Sequence, residues 1–140
     1  MNVYLDASVL VALFTNDPLS QRADGFLRRE APALAVSDFA KAEFASAISR
    51  RVRTGEVSAE EAYEAFSAID VWTARAARSI ATSSADVAAA AAFLRRLDLS
   101  LRTPDALNIA IAERAGCALL TFDRKMAANA NIIGLSVVPS

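Results

Sequence analysis

Four acidic residues, Asp6, Glu43, Asp105 and Asp123, carry the chemistry this sequence offers. The chain has no histidine and one cysteine, Cys117. Imidazole bases, Ser-His and Cys-His dyads and zinc sites of the His/Cys type are thereby excluded. Carboxylates, hydroxyls, arginine, lysine and any bound ion remain. Two carboxylates ~4 Å apart at a partly solvated surface repel by about 4 kcal/mol. A hard divalent cation, Mg²⁺ or Mn²⁺, relieves that repulsion and prefers oxygen ligands. Metal-assisted hydrolysis is what such a cluster would perform.

Each acid also has a plainer explanation. Asp6 could cap a helix beginning at Ala7, Asp123 could cap one beginning at Arg124, and Asp105 suits the first turn of a helix. Glu43 resists this treatment. It lies mid-helix, with Phe39, Ala40, Ser46 and Ala47 at the positions three and four away, so no basic side chain pairs with it on its own helix.

The elements that must position these acids follow from hydrophobic periodicity. Val3-Tyr4-Leu5 reads as a strand ending at Asp6, and Ser8 to Phe14 as a buried helix broken by Asn16-Asp17-Pro18. A helix from Leu19 to Glu30 precedes a short strand at Leu34-Ala35-Val36. Ser37 then caps a long helix to Arg53 with an Ala40, Phe44, Ala47, Ile48 and Val52 stripe. Gly55 stops it, and Ser58 with Glu61 forms a capping-box pattern opening the next helix, where Ala62, Ala65, Phe66 and Ile69 face inward. Asp70 to Thr73 reads as a third strand, followed by a polar stretch and an alanine-rich helix from about Ser84 to Leu97. Thr103-Pro104-Asp105 supplies a cap, an early proline and a first-turn acid for a helix to Ala115, stopped by Gly116. Ala118 to Phe122 reads as a buried strand ending at Asp123, and Leu135 to Val138 as a last one. Strands alternating with helices imply a parallel sheet covered on both faces.

In such sheets ligands bind beyond the carboxyl ends of the strands. Asp6, Asp123 and Glu43 lie near those ends; Asp105 joins them only if its helix begins at the same edge. The 140 residues suit one domain, 1–140, and 54% of them are apolar, enough for a core without disulfides. The longest apolar-leaning stretch, Asp86 to Leu94, falls far short of the roughly 20 residues that span a bilayer. No secretion signal is visible and one cysteine makes no internal disulfide, so the cytoplasm is the expected compartment. Fifteen basic against sixteen acidic residues give a formal charge of −1, without the overall positive field of a tight nonspecific nucleic-acid binder.

Taken in order, Leu5-Asp6-Ala7-Ser8, Ala42-Glu43-Phe44, Thr103-Pro104-Asp105-Ala106 and Thr121-Phe122-Asp123 resemble the PIN domain, and more narrowly the VapC toxins of bacterial toxin–antitoxin pairs. The resemblance covers the whole chain. It implies a three-layer α/β/α sandwich with a central parallel sheet of four to five strands. It further implies Mg²⁺- or Mn²⁺-dependent endoribonuclease activity, homodimers, and inhibition by a small cognate VapB-like antitoxin. The family's four acids map onto Asp6, Glu43, Asp105 and Asp123. Many relatives carry a histidine where this chain has Asn108.

Around the acids, Ser8 and Thr121 are expected to orient carboxylates, Thr121 that of Asp123 two residues on. Asn108, one turn after Asp105, is grouped with them behind the acids, as a polar residue at the cleft edge that could touch substrate, and Arg124 is the best basic candidate for RNA contact. Trp72, Phe66 and Phe93 read as core or interface, while Leu10, Leu13 and Phe14 leave room for an apolar patch. Two rival readings stand beside the nuclease. One is a catalytically silent PIN-like interaction module. The other is a metal-dependent phosphotransferase or phosphatase with Asp6 as nucleophile, although the haloacid-dehalogenase pattern wants an acid where Ser8 stands. Dinucleotide binding is disfavoured, because no Gly-x-Gly-x-x-Gly follows the first strand.

Overall fold

The computed structural model describes residues 1–139. Strand β1 (Asn2–Leu5) alternates its side chains so that Val3 and Leu5 face one way and Tyr4 the other, all three fully buried. It leads into α1 (Ala7–Phe14), α2 (Ser20–Glu30), β2 (Ala33–Ser37) and α3 (Asp38–Arg53). These are followed by α4 (Ala59–Ala76), β3 (Ala77–Ile80), α5 (Ser84–Arg95), α6 (Thr103–Arg114), β4 (Ala118–Leu120) and α7 (Arg124–Ile133). The strands form one parallel sheet in the order β3-β2-β1-β4. Strand β1 is thus central, and its carboxyl end lies between those of β2 and β4.

Two apolar cores cover the two faces, giving the α/β/α sandwich the sequence implied. On one, Val3, Leu5, Val36 and Leu120 meet Val9 and Leu10 of α1, Phe44 and Ile48 of α3, and Ala62, Ala65 and Ile69 of α4. On the other, Tyr4, Ala35, Ile80 and Leu119 meet Ile109 and Ile111 of α6, Ala90 of α5 and Met126 of α7. Leu10 belongs wholly to the first core and contributes nothing to a surface patch; Leu13 and Phe14 stay partly exposed.

The third strand is misplaced by the sequence reading. Asp70 to Thr73 continue α4, because Ile69 and Thr73 extend the buried Ala62 and Ala65 stripe at helical spacing. Trp72 packs edge-on against Phe14, with ring centroids 5.4 Å apart. The true third strand is the sheet-edge segment β3, where only Ile80 is buried, so no apolar alternation announces it. The expected last strand at Leu135 to Val138 reduces to a single bridge between Leu119 and Val137. Helix α5 ends at Arg95, short of Leu97, and β4 ends at Leu120, short of Phe122. At α6 the cap is Arg102, not Thr103, which already lies within the helix. Ser58 and Glu61 form the expected capping box of α4.

Candidate active site

The turn after β1 places Asp6 at the carboxyl edge of the sheet. Its side chain caps α1 by accepting from Val9 N at 3.2 Å. The same oxygen, Oδ1, accepts from Ser8 Oγ at 2.6 Å, and Oδ2 accepts from Thr121 Oγ1 at 2.5 Å. Ser8 stands two residues on in α1, and Thr121, just past β4, reaches Asp6 because β4 lies directly beside β1. Ser8 Oγ in turn accepts from Phe122 N, and Thr121 Oγ1 from Asp123 N. Thr121 therefore orients the carboxylate of Asp6 and only the backbone of Asp123.

Asp6 is 5% exposed, and burial holds its carboxyl above the ordinary carboxylate range. The three hydrogen bonds pull it down, while the charge of Asp123 pushes it further up. Asp123 caps α7 by accepting from Lys125 N and Met126 N, both through Oδ1. Its Oδ2 accepts no hydrogen bond among the described residues.

Glu43 projects from the second turn of α3 and is half-buried. Burial raises its carboxyl, Asn108 lowers it by donating from Nδ2 to Oε1 at 2.6 Å, the charges of Asp6 and Asp105 raise it again, and the charge of Arg102 lowers it. Asp105, in the first turn of α6, lies 3.6 Å from the guanidinium of Arg102 through Oδ2. Helix α6 thus does begin at the edge that the other acids share. Asp123 repels Asp6, and both Asp6 and Asp105 repel Glu43, which joins the four acids into one electrostatic unit.

Three of the acids also do the local work their plainer readings assign them. Capping occupies one oxygen of Asp123 and fixes where its carboxylate stands, without consuming its capacity to accept more. As placed, no three His, Cys, Asp or Glu side chains among the described residues are closed around a metal-sized space. The donor set nevertheless fits a hard cation. It is all carboxylate, it is mutually repulsive, and Asp123, Glu43 and Asp105 each keep an oxygen that no described group engages.

Asn108 is not at the cleft edge. It is 2% exposed, held by Glu43, Tyr4 and Pro104 O, and faces no substrate. Arg124 is exposed at the start of α7 beside Asp123. Sequence reasoning missed Tyr4, Ser37 and Arg102. The only signal for Tyr4 was a phenol two residues before Asp6 in an otherwise apolar strand, where a buried hydroxyl must find partners.

The PIN domain family profile matches residues 3–132. The fold is shared with VapC20 of Mycobacterium tuberculosis, a sarcin–ricin loop cleaving toxin, at a TM-score of 0.77 and 20% identity over 99% of both chains. It is shared with VapBC2 from Rickettsia felis, solved bound to a DNA fragment from its promoter, at a TM-score of 0.69 and 18% identity, covering 99% of this chain and 98% of that one. It is also shared with VapBC-1 from nontypeable Haemophilus influenzae, at a TM-score of 0.65 and 18% identity, covering 99% of this chain and 97% of that one. No curated protein matches the chain in sequence.

Proposed function

The chain belongs to the PIN domain family, and from that premise we propose that it is a Mg²⁺- or Mn²⁺-dependent endoribonuclease, the toxin of a VapBC-type toxin–antitoxin pair. The observation that carries this reading is the single electrostatic unit of Asp6, Glu43, Asp105 and Asp123, delivered to one sheet edge by four separate segments. Repulsion of that kind is unfavourable in a structural role and useful in a cation site.

Asp6 and Asp123 would hold a first cation, and Glu43 and Asp105 would complete its shell, orient water or hold a second. A divalent ion so bound supplies a water of lowered pKa and neutralises charge on the scissile phosphate. The chain's own groups do the positioning. Ser8 and Thr121 fix both oxygens of Asp6, the α7 amides fix Asp123, and Asn108 fixes Glu43. Arg124, exposed beside Asp123, meets the RNA backbone.

The partners in this reading are RNA, a small antitoxin and a second copy of the chain, in the cytoplasm. A cleft of about 740 Å³ between α1, α3 and α4 suits a partner segment, apolar along Leu13, Phe14 and Val57 and acidic at Glu61 and Glu64. No helix among the described residues is long and apolar enough to cross a membrane. The test is cleavage of RNA in Mg²⁺ and in EDTA, with Asp6→Ala beside the wild type. Cleavage is expected only for the wild type with metal, and Asp6→Ala should lose at least about 100-fold, more than loss of an outer partner costs. Equal rates in EDTA, or an unimpaired Asp6→Ala, would sink the assignment; no cleavage under any condition would leave the silent module.

A further inference from the structure

Beneath the acids runs a file of polar groups that ends on Glu43, and two of its members, Tyr4 and Ser37, have no part in the proposed reaction. Tyr4 is fully buried in β1, and its hydroxyl lies 2.7 Å from Ser37 Oγ at the end of β2 and 2.5 Å from Asn108 Oδ1 on α6. Asn108 Nδ2 reaches Glu43 Oε1 at 2.6 Å and Pro104 O at 2.9 Å. A hydroxyl has one proton to give, which makes the direction of this chain decidable.

Suppose first that Tyr4 donates to Ser37. Asn108 would then have to turn its NH₂ toward Tyr4, which sets Oδ1 against the Glu43 carboxylate and the Pro104 carbonyl. With Glu43 ionised, three acceptors would face one another, an arrangement without a proton to share. The alternative satisfies every group. Tyr4 donates to Asn108 Oδ1, Ser37 Oγ donates to Tyr4 and accepts from Ala40 N at 2.9 Å, and both Nδ2 protons are used, on Glu43 and on Pro104.

We propose that Tyr4 is a positioning residue of the acidic site, whose hydroxyl locks the amide of Asn108 in the one orientation that presents a donor to Glu43. The lock rests on the metallonuclease reading for its purpose but not for its existence. It gives Glu43, the only one of the four acids with no cap or ion pair to hold it, a fixed rotamer. It does so from the far side of the sheet, where the phenol cannot touch substrate. Phenylalanine would fill the same space and keep the apolar packing, but would leave Asn108 free to turn over.

Two measurements on the full chain decide this. The first is the side-chain amide signal of Asn108 in ¹⁵N–¹H correlation spectra of the metal-free protein, assigned by its loss in Asn108→Ala. The wild type should show a single, slowly exchanging conformer, and Tyr4→Phe should shift it or split it in two. A freely rotating amide in the wild type, or an unmoved signal in Tyr4→Phe, overturns the lock. The wild-type spectrum decides even if Tyr4→Phe does not fold.

The second is Mn²⁺ affinity by calorimetry. Tyr4→Phe should weaken binding by about 10-fold, within the range for groups behind a metal ligand. In an Asn108→Ala background the same substitution should change affinity by less than about 2-fold, because the two residues act as one unit. Full additivity would show that Tyr4 acts elsewhere and overturn the proposal. A wild type that binds no Mn²⁺ defeats the nuclease reading instead, and the amide signal still settles the lock.

Discussion

Replacing Glu43 with glutamine should stabilise the metal-free protein at neutral pH while abolishing cleavage. The Glu43 carboxyl is held above its ordinary range by burial, and the charges of Asp6 and Asp105 add to this against the hydrogen bond from Asn108. A raised carboxyl means that the folded state binds its proton more tightly than the unfolded chain does. Stability then falls as pH rises from the unfolded value, about 4.3, through the folded one, and the penalty is fully present once the pH has passed the folded one. Glutamine keeps the volume and the acceptor that Asn108 uses at 2.6 Å. That bond drops from charge-assisted to neutral, a loss of about 1 kcal/mol. Relief from burial and from two repulsions exceeds this loss, since the balance of the same influences already raises the carboxyl. A net gain of about 1 kcal/mol is expected, or roughly 3 °C in Tm for a domain of this size. The assay is thermal unfolding in EDTA at pH 7 and pH 4. The difference should shrink at pH 4, where the wild type is itself largely protonated. Mg²⁺ at ten times its Kd should return about 1.4 kcal/mol to the wild type and reverse the order. A variant less stable than the wild type in EDTA at pH 7, or equally advantaged at both pH values, would refute the reasoning.

Cleavage rate should fall on acidification from a pH above the usual carboxylate range, because Asp6 and Glu43 both hold their protons longer than ordinary acids and a metal needs them ionised. Initial rates across pH test this, and raising Mg²⁺ should move the acid limb lower; a limb fixed at about pH 4 would contradict it. Arg114→Met should lower the urea midpoint of unfolding, because it leaves Asp86, whose side chain is 1% exposed and which Arg114 grips at 2.7 and 2.8 Å, with only the hydrogen bonds from Ser83. Arg114 lowers the Asp86 carboxyl, so this contribution is present above the unfolded pKa and fades as pH falls through the folded one.

How far the sequence could be read depended on where each signal was written. The cap of α4 is local: Ser58 and Glu61 bond each other three residues apart, and the pattern is visible in the chain itself. The stripe of α3 is equally local, since Ala40, Phe44 and Ile48 repeat at helical spacing. Strand β3 is different. It pairs only with β2 at a sheet edge, buries a single side chain, and owes its existence to a neighbour more than forty residues earlier in sequence. Propensity then favoured Val71-Trp72-Thr73 as strand, and tertiary packing of the α4 face overrode it. The one-residue slip at α6 has a similar origin, because Arg102, a poor cap by type, gains its place from Asp105, which accepts from Arg102 N.

At the site, the four acids were legible as a set, and the groups that hold them in place were not. Capping and cation binding are commonly set against each other as explanations for an acid at a helix start, but here the first prepares the second. A cap spends one oxygen of Asp123 on backbone amides and thereby denies the side chain the rotamers that would carry its charge away from Asp6. Glu43 has no such cap, so its confinement had to come from another element, and the buried Tyr4–Asn108 pair on the opposite face supplies it. Nothing in the spacing of residues 4, 43 and 108 records that dependence, since it exists only once β1, α3 and α6 are packed. The fold therefore brings four carboxylates to one sheet edge largely by means unrelated to charge, and Arg102, paired with Asp105, is the cation of the chain that offsets part of their repulsion.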